Sequence, residues 1–190
     1  MKNLKLNEPL RLAALCLLGL FLTSEAAAQS PYTDGKAAQL KASDVRKLKA
    51  LRAPIAVPTY VPAGYKLKNA GGRVEMIEKF WSVDYGLTYE NTKGDSFSII
   101  SANEGLGDSP IEIVLTGKNP FFSEIAVGTQ DLTEDGKVKP NAQYETDWVE
   151  NKRAYVPAGA HSRRQAYRIG RTALSPKEVL KVMLSLRYLR

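Results

Sequence analysis

Val57–Leu67, with the sequence Val-Pro-Thr-Tyr-Val-Pro-Ala-Gly-Tyr-Lys-Leu, is the stretch around which the rest of the chain is organised. Pro62 presets the backbone angle at the second position of a turn, and Gly64 suits the fourth position. Tyr65 and Leu67 then alternate with lysines, which is typical of a strand with one buried face. We therefore expect a β-sheet to begin at this turn.

The first 28 residues have the features of a secretory signal peptide. Basic side chains precede the apolar run Leu12–Thr23, and the small residues Ala26–Ala28 precede Gln29, as they do at a cleavage site. The apolar run is too short to cross a bilayer as a helix. We predict a periplasmic or secreted protein, cleaved near Ala28 and without a transmembrane segment afterwards. An uncleaved anchor is the alternative.

The cysteine content limits which covalent and metal-binding chemistry the protein can carry out. The 190-residue chain has one cysteine, Cys16, and it lies within the predicted leader. Leu15 precedes it and only four apolar residues separate it from Arg11, which does not fit a lipoprotein. The rest of the chain then has no disulfide, thiol nucleophile or thiolate metal ligand, so its core alone must hold it together.

The remaining residues suit one domain. Residues 29–42 are small and polar, and we expect a flexible arm there. A single α+β domain is expected over residues 43–190, since this length is too short for two comfortable domains. It should open with a short helix from Asp44 to about Arg52, capped by Ser43 and ended by Pro54.

The clearest periodic pattern predicts a β-hairpin. Apolar and polar residues alternate from Trp81 to Tyr89, a turn follows at 91–94, and Phe97 continues a partner strand. The Gly-Gly pair at 71–72 is expected to break the preceding strand. Further apolar segments give a single antiparallel sheet of about six or seven strands.

A C-terminal helix is predicted to cover this sheet. It opens on Ser175-Pro176-Lys177-Glu178, a capping box with proline at the first helical position. Its apolar residues from Val179 to Leu186 form one broad face, and Arg187 and Arg190 suit the negative C-terminal end of a helix.

With both ends in view, the chain resembles a family of exported bacterial domains of unknown function. Its members open on a Pro-x-Tyr-Leu-Pro-x-Gly-Tyr-x-Leu motif, here Pro58–Leu67, and close on a helix of the type Ser-x-Glu-Leu-Leu-x-Ile-Ala-x-Ser-Leu, here Ser175–Leu186. Trp148 followed by Tyr155 is similar to the Trp-then-Tyr strand pair of the family.

Two positions depart from the family pattern. Val61 replaces the usual leucine, and Leu184 stands where the family prefers a polar residue, so it indicates a deeper helix packing or a partner contact. Related domains lie outside the membrane in anti-sigma-factor-like proteins. The resemblance implies a non-catalytic sensing or binding module, without naming a ligand or a catalytic residue.

Basic side chains are concentrated near the C-terminus. Residues 152–190 carry ten basic and one acidic side chain, whereas residues 55–151 carry eight and fifteen. One interpretation is a face for a polyanion or an anionic lipid surface, with the candidate contacts Arg163, Arg164, Arg168 and Arg171. The interpretation we prefer is that strands from the two regions pair and their charges interleave. No nucleic acid partner is expected, because no aromatic-plus-basic stacking motif is present.

Catalytic, metal and cofactor sites have little support. His161 is the only histidine, which is too few for a His-ligated zinc site, and it lies in a polar stretch beside Ser162. Carboxylate pairs such as Glu75 and Glu78 leave a small carboxylate-dependent hydrolase as the least favoured alternative.

The aromatic side chains of the hairpin raise the last hypothesis. Trp81, Tyr85, Tyr89 and Phe97 should lie on one face, where they form the core, the interpretation we prefer, or line an apolar groove. Together with Leu184 they are the candidate face for a ligand or an envelope protein. The leading hypothesis is thus an exported, non-catalytic binding or sensing module. The alternative is a carrier or chaperone for a lipid or peptide held between sheet and helix.

Overall fold

The computed structural model describes residues 30–77, 80–102, 111–147, 149–150 and 164–190; for 77, 80, 81, 102, 150 and 164 it describes the backbone. In chain order the elements are β1 (Tyr32–Thr33), α1 (Ala42–Lys49), β2 (Ala56–Pro58), β3 (Lys66–Ile77), β4 (Phe80–Glu90), β5 (Ser96–Ala102), β6 (Glu112–Lys118), β7 (Glu124–Thr129), β8 (Tyr144–Thr146), β9 (Val149–Glu150), β10 (Arg164–Ile169), α2 (Pro176–Leu184) and β11 (Leu186–Leu189). None of the helices in this part of the chain has the length and apolar content needed to cross a membrane.

The α+β class is confirmed. The large sheet has seven strands in the order β3-β4-β5-β10-β8-β7-β6, and every neighbouring pair is antiparallel. The short strand β9 pairs with β10 as well. Helix α2 packs on β6 and β7, and α1 packs on β3. A C-terminal helix on an antiparallel sheet is therefore present, as the sequence predicts.

The prediction of a single sheet is wrong, because a second sheet of three strands is present. Its order is β1-β11-β2, with β11 in the centre, parallel to β1 and antiparallel to β2. The last residues were expected to continue the C-terminal helix. They alternate instead as a strand, with Leu186 and Tyr188 buried and their neighbours half-buried.

The end of α2 has a local cause. Ser185 donates its hydroxyl to the carbonyl oxygen of Val182 at 2.7 Å, and its amide donates to Lys181. The side-chain amide of Asn119 donates to the carbonyl oxygen of Leu184 at 2.9 Å. Last-turn carbonyls thus have donors from outside the helix, and the chain leaves it after Leu184. Arg187 therefore belongs to a strand and not to a helix terminus.

The turn before β3 is shifted by one residue from the prediction. The amide of Tyr65 donates to the carbonyl oxygen of Pro62 at 3.2 Å, so Pro62 opens the turn and Gly64 is its third residue. Gly64 has φ +84°, a backbone angle at which glycine carries no steric cost. The glycine is needed for its left-handed conformation.

The Gly-Gly pair at 71–72 does not break a strand, since β3 runs through both residues. Gly72 lies opposite Tyr85 in the register. A β-carbon at Gly72 would lie 2.5 Å from the carbonyl oxygen of Asp84 and 2.6 Å from a methyl group of Leu51. The glycine therefore lets the segment after α1 approach the sheet closely.

Residues 31–42, predicted to be part of a flexible arm, pack against the domain in the structure. Ala38 and Leu40 are buried, and the amide of Tyr188 donates to the carbonyl oxygen of Pro31 at 2.8 Å. Helix α1 begins at Ala42, and the Asp44 carboxylate accepts from the amide of its N-cap residue, Lys41, at 3.0 Å. These buried apolar side chains hold the segment against the domain, and a count of its composition does not reveal them.

The core lies on one face of the large sheet, under both helices and the small sheet. Residues on this inner face alternate with residues on the outer face, which is turned away from the helices. The largest fully buried side chains are Tyr85, Tyr89, Tyr144, Tyr167, Phe97, Phe122, Leu48, Leu87, Ile99, Ile125, Ile169 and Met183.

Candidate functional site

The outer face carries a charged pair at its centre. Tyr167 and Ile169 of β10 are buried in the core, so Arg168 between them points to the outer face. The strand register places Arg168 directly opposite Glu145 of β8 on one side and Ile100 of β5 on the other. Alternation within two short strands therefore brings a guanidinium and a carboxylate together.

A cleft of about 230 Å³ lies beside this pair. It forms where β7 and β10 end and β8 begins, at one edge of the outer face. We call it the polar cleft, and its lining residues are Ile111, Thr129, Gln130, Asp131, Gln143, Glu145, Arg168 and Arg171. Ile111 is the only apolar side chain among them.

A third side chain, Gln143, joins the ion pair between Arg168 and Glu145. The Nε atom of Arg168 lies 2.8 Å from Oε1 of Glu145, and the side-chain amide of Gln143 donates to the same oxygen at 3.1 Å. The side chains of Glu145 and Arg168 are 10% and 34% exposed. A carboxylate so little hydrated needs these donors, because an unpaired buried charge is costly.

The loop that carries Asp131 is locked to β8. Oδ2 of Asp131 accepts a hydrogen bond from the amide of Gln143 at 2.9 Å. The hydroxyl of Thr129 donates to the carbonyl oxygen of Gln143 at 2.6 Å and accepts from the amide of Asp131 at 3.0 Å. The neighbouring phenol, Tyr144, has its pKa raised by burial and, second, by the negative charge of Asp131. Asp131 is thus a positioned charge at the cleft wall.

Two of the four arginines proposed from the sequence meet in the polar cleft. Arg168 lies at its floor, and Arg171, two residues beyond β10, is exposed at its rim. Arg163 and the side chain of Arg164 lie outside the described residues. Arg168 of the basic C-terminal segment forms an ion pair with Glu145 of the acidic middle segment. This is the interleaving of charges expected from their distribution along the chain.

The aromatic residues of the hairpin lie in the core. Tyr85, Tyr89 and Phe97 are each 2% exposed or less, and the rings of Tyr89 and Phe97 stack at 4.8 Å between centroids. Burial raises the pKa of both tyrosines. The small sheet and residues 31–42 cover these rings, and the sequence pattern does not predict that they do. The side chain of Trp81 lies outside the described residues.

Leu184 also packs within the domain. Its methyl groups lie over Gly117 of β6, where a β-carbon would come within 2.8 Å of them. Leu184 is half-buried against the core cluster. Of its two predicted roles, this contact provides the deeper packing of the helix.

The described residues contain no group of three histidine, cysteine, aspartate or glutamate side chains that could hold a metal ion. His161, Ser162 and Glu78 lie outside these residues. The polar lining of the cleft, in particular Gln143 and Glu145, is not among the site residues that the sequence predicts. Their signal is their position on either side of the apolar Tyr144, which alternation turns inward.

No protein-family model matches the chain, and it matches no curated protein and no solved structure. The resemblance to exported domains of unknown function therefore stays a prediction. Proposals for function rest on the geometry of the site.

Proposed function

We propose that the protein is an exported, non-catalytic binding or sensing module of the cell envelope, and that the polar cleft binds a small charged ligand. Export is supported by the signal-peptide pattern of the first 28 residues. The class of module is supported by the resemblance to extracytoplasmic domains and by the absence of a catalytic motif in the sequence.

The observation that carries the proposal is the buried carboxylate of Glu145 at the cleft floor. Buried ion pairs contribute little net stability compared with apolar residues of similar size, so the fold does not need one at this position. Here the pair is held by Gln143 and opens onto a cleft with two further charged groups, Asp131 and Arg171. Preorganised charges of this kind suit recognition of a charged ligand.

The same cleft contains two carboxylates, the arrangement that a hydrolase would need. Both already accept hydrogen bonds: Glu145 from Arg168 and Gln143, and Asp131 from the amide of Gln143. These oxygens therefore hold protein groups in place, whereas a hydrolase needs carboxylates that are free to exchange a proton with substrate or water. The geometry therefore favours binding over hydrolysis.

Native mass spectrometry of the protein purified from an exporting host tests the proposal first. We expect the bare mass or a small polar adduct that is lost on activation. A bound lipid or long apolar peptide would instead support the carrier hypothesis and contradict ours.

Calorimetric titration with small anions, cations and zwitterions tests the cleft itself. Arg171→Gln should weaken binding of the ligand found, whereas Arg46→Gln, which makes the same charge change on the exposed side of α1, should not. Equal affinities of the two variants would place the ligand elsewhere. Product formation from any titrated ester, amide or glycoside would contradict a non-catalytic role.

A further inference from the structure

We infer that the ligand of the polar cleft is a zwitterion of amino-acid size, a free amino acid or a short peptide, with its carboxylate on Arg171 and its ammonium group on Asp131. The inference rests on the proposed function and names its ligand class. Its starting point is the charge of the cleft, to which the described lining residues contribute two positive and two negative side chains.

The inner pair of charges is already satisfied. Arg168 and Glu145 lie 2.8 Å apart, and Gln143 adds a second donor to the same carboxylate oxygen. Because their charges cancel at close range, this pair gives the cleft a rigid floor without favouring either sign of ligand. The preference for one kind of ligand charge therefore depends on the outer pair of charged side chains.

The outer charges, on Asp131 and Arg171, have no such partner among the described residues. Among the ion pairs between described residues, none involves Asp131 or Arg171, although both line the same cleft. Asp131 uses Oδ2 to accept from the amide of Gln143, and its other oxygen has acceptor capacity left. The guanidinium of Arg171 carries five N–H donors in a planar fork that matches a carboxylate.

One positive and one negative group on the wall of one small cleft suit a ligand that carries both charges itself. A simple anion would gain from Arg171 but would meet the negative charge of Asp131, and a simple cation would meet the reverse. A volume of about 230 Å³ has room for a ligand that displaces roughly seven waters at ~30 Å³ each. That is the scale of an amino acid or a short peptide.

The apolar lining indicates where the ligand side chain lies. Ile111 is half-buried in the cleft wall, beside Gly128 of β7, where a β-carbon would come within 3.0 Å of its terminal methyl group. An aliphatic side chain would contact Ile111 while the charged backbone groups bind Asp131 and Arg171. We therefore choose leucine and alanyl-leucine as probes.

The first test uses the unaltered protein and capped probes in calorimetric titrations. Leucine and alanyl-leucine carry both charges, N-acetyl-leucine only the carboxylate and leucine amide only the ammonium group. We expect at least one zwitterion to bind about 10–100-fold more tightly than either capped leucine, because each capped probe lacks one charge-assisted bond. Which zwitterion binds tighter separates a free amino acid from a peptide.

Failure of the inference is distinguishable from failure of the proposed function. If N-acetyl-leucine or leucine amide binds as tightly as the zwitterions, the zwitterion inference is wrong while the cleft remains a binding site. If only a different class of small ion binds, the result is the same. If no small ion of any class binds at millimolar concentration, both proposals fall.

Two variants test which side chain binds the carboxylate of the ligand and which binds its ammonium group. Arg171→Gln should weaken leucine and N-acetyl-leucine by similar factors but should not weaken leucine amide, which loses a repelling charge. Asp131→Asn keeps an oxygen for the amide of Gln143 and should weaken leucine and leucine amide, but not N-acetyl-leucine. The opposite pattern would overturn the assignment. Because the capped probes test the unaltered protein, a variant that does not fold leaves the inference falsifiable.

Discussion

The phenol oxygen of Tyr85 accepts a hydrogen bond from the amide of Ala56 and donates one to the carbonyl oxygen of the same residue, each at 2.9 Å. Tyr85 belongs to the large sheet and Ala56 to the small one, so a single hydroxyl joins the two layers. Both residues are buried. Two backbone groups therefore have their polar partner on the other side of the core.

Tyr85→Phe should destabilise the protein, because it leaves two buried backbone groups without their partner at about 1–3 kcal/mol each. Tyr188→Phe is the matched control. Its hydroxyl is buried and has no hydrogen-bond partner among the described residues, so its removal should leave the free energy of unfolding unchanged or raise it. Urea denaturation of both variants measures the difference, and equal losses would contradict it.

Adjacent glycines in β3 give the second prediction. Gly71→Ala should be neutral or stabilise by up to about 1 kcal/mol, since its β-carbon would meet no atom within 4 Å. Gly72→Ala should destabilise by about 1–3 kcal/mol or more, because its β-carbon would meet the carbonyl oxygen of Asp84 at 2.5 Å. Thermal unfolding of the two variants checks this, and a tolerated Gly72→Ala would show that Leu51 and the strands do not pack as described.

Breaking the ion pair under the cleft should be asymmetric. Arg168→Met removes the charge partner of the Glu145 carboxylate, which is only 10% exposed. Glu145→Gln removes the charge partner of a guanidinium that is 34% exposed and can bind water instead. We expect Arg168→Met to cost about 1–3 kcal/mol, less than a fully buried pair would, and Glu145→Gln to cost less. A double-mutant cycle measures the coupling between the two side chains, and additive losses would argue against their interaction.

Alkaline pH should unfold the protein through its buried tyrosines. Burial raises the pKa of Tyr85, Tyr89 and Tyr167 above the usual value of 10. Because the folded-state pKa is the higher one, the stabilisation is complete below pH ~10 and is lost as the pH rises past it. Each phenol then lowers the free energy of unfolding by about 1.4 kcal/mol per pH unit. Part of the phenolate absorbance should appear only together with loss of structure, and a rise that is complete while the protein is still folded would contradict the burial of these rings.

The sequence predicts local structure best where a pattern and its boundary residues agree. The hairpin of β4 and β5 is confirmed. Asn91 closes the turn, because its side-chain oxygen accepts hydrogen bonds from the amides of Lys93 and Asp95. The start of α2 is confirmed as well, because the Ser175 hydroxyl accepts from the amide of Glu178 at 3.3 Å. Both signals act within a few residues, which a sequence displays directly.

Long-range packing is where prediction fails. Leu186 would continue the apolar face of α2 as well as it starts a strand, and the decision comes from pairing with β1 and β2, more than 125 residues away. Residues 31–42 have too few large apolar side chains for a periodic signal, yet Ala38 is fully buried. The polar cleft is missed for the same reason, since strand register assembles it from segments that no local motif connects.

The central position of β11 in the small sheet has a consequence for biosynthesis. This strand forms from residues 186–189, while its partners β1 and β2 are made among the first 58 residues. The aromatic face of β4 and β5 therefore lacks part of its cover throughout most of translation. A growing chain in this state exposes apolar surface to chaperones and resists premature folding. If the chain crosses a membrane unfolded, as the proposed export requires, completion of the core by β11 would keep it in a form that can be transported until that strand is made.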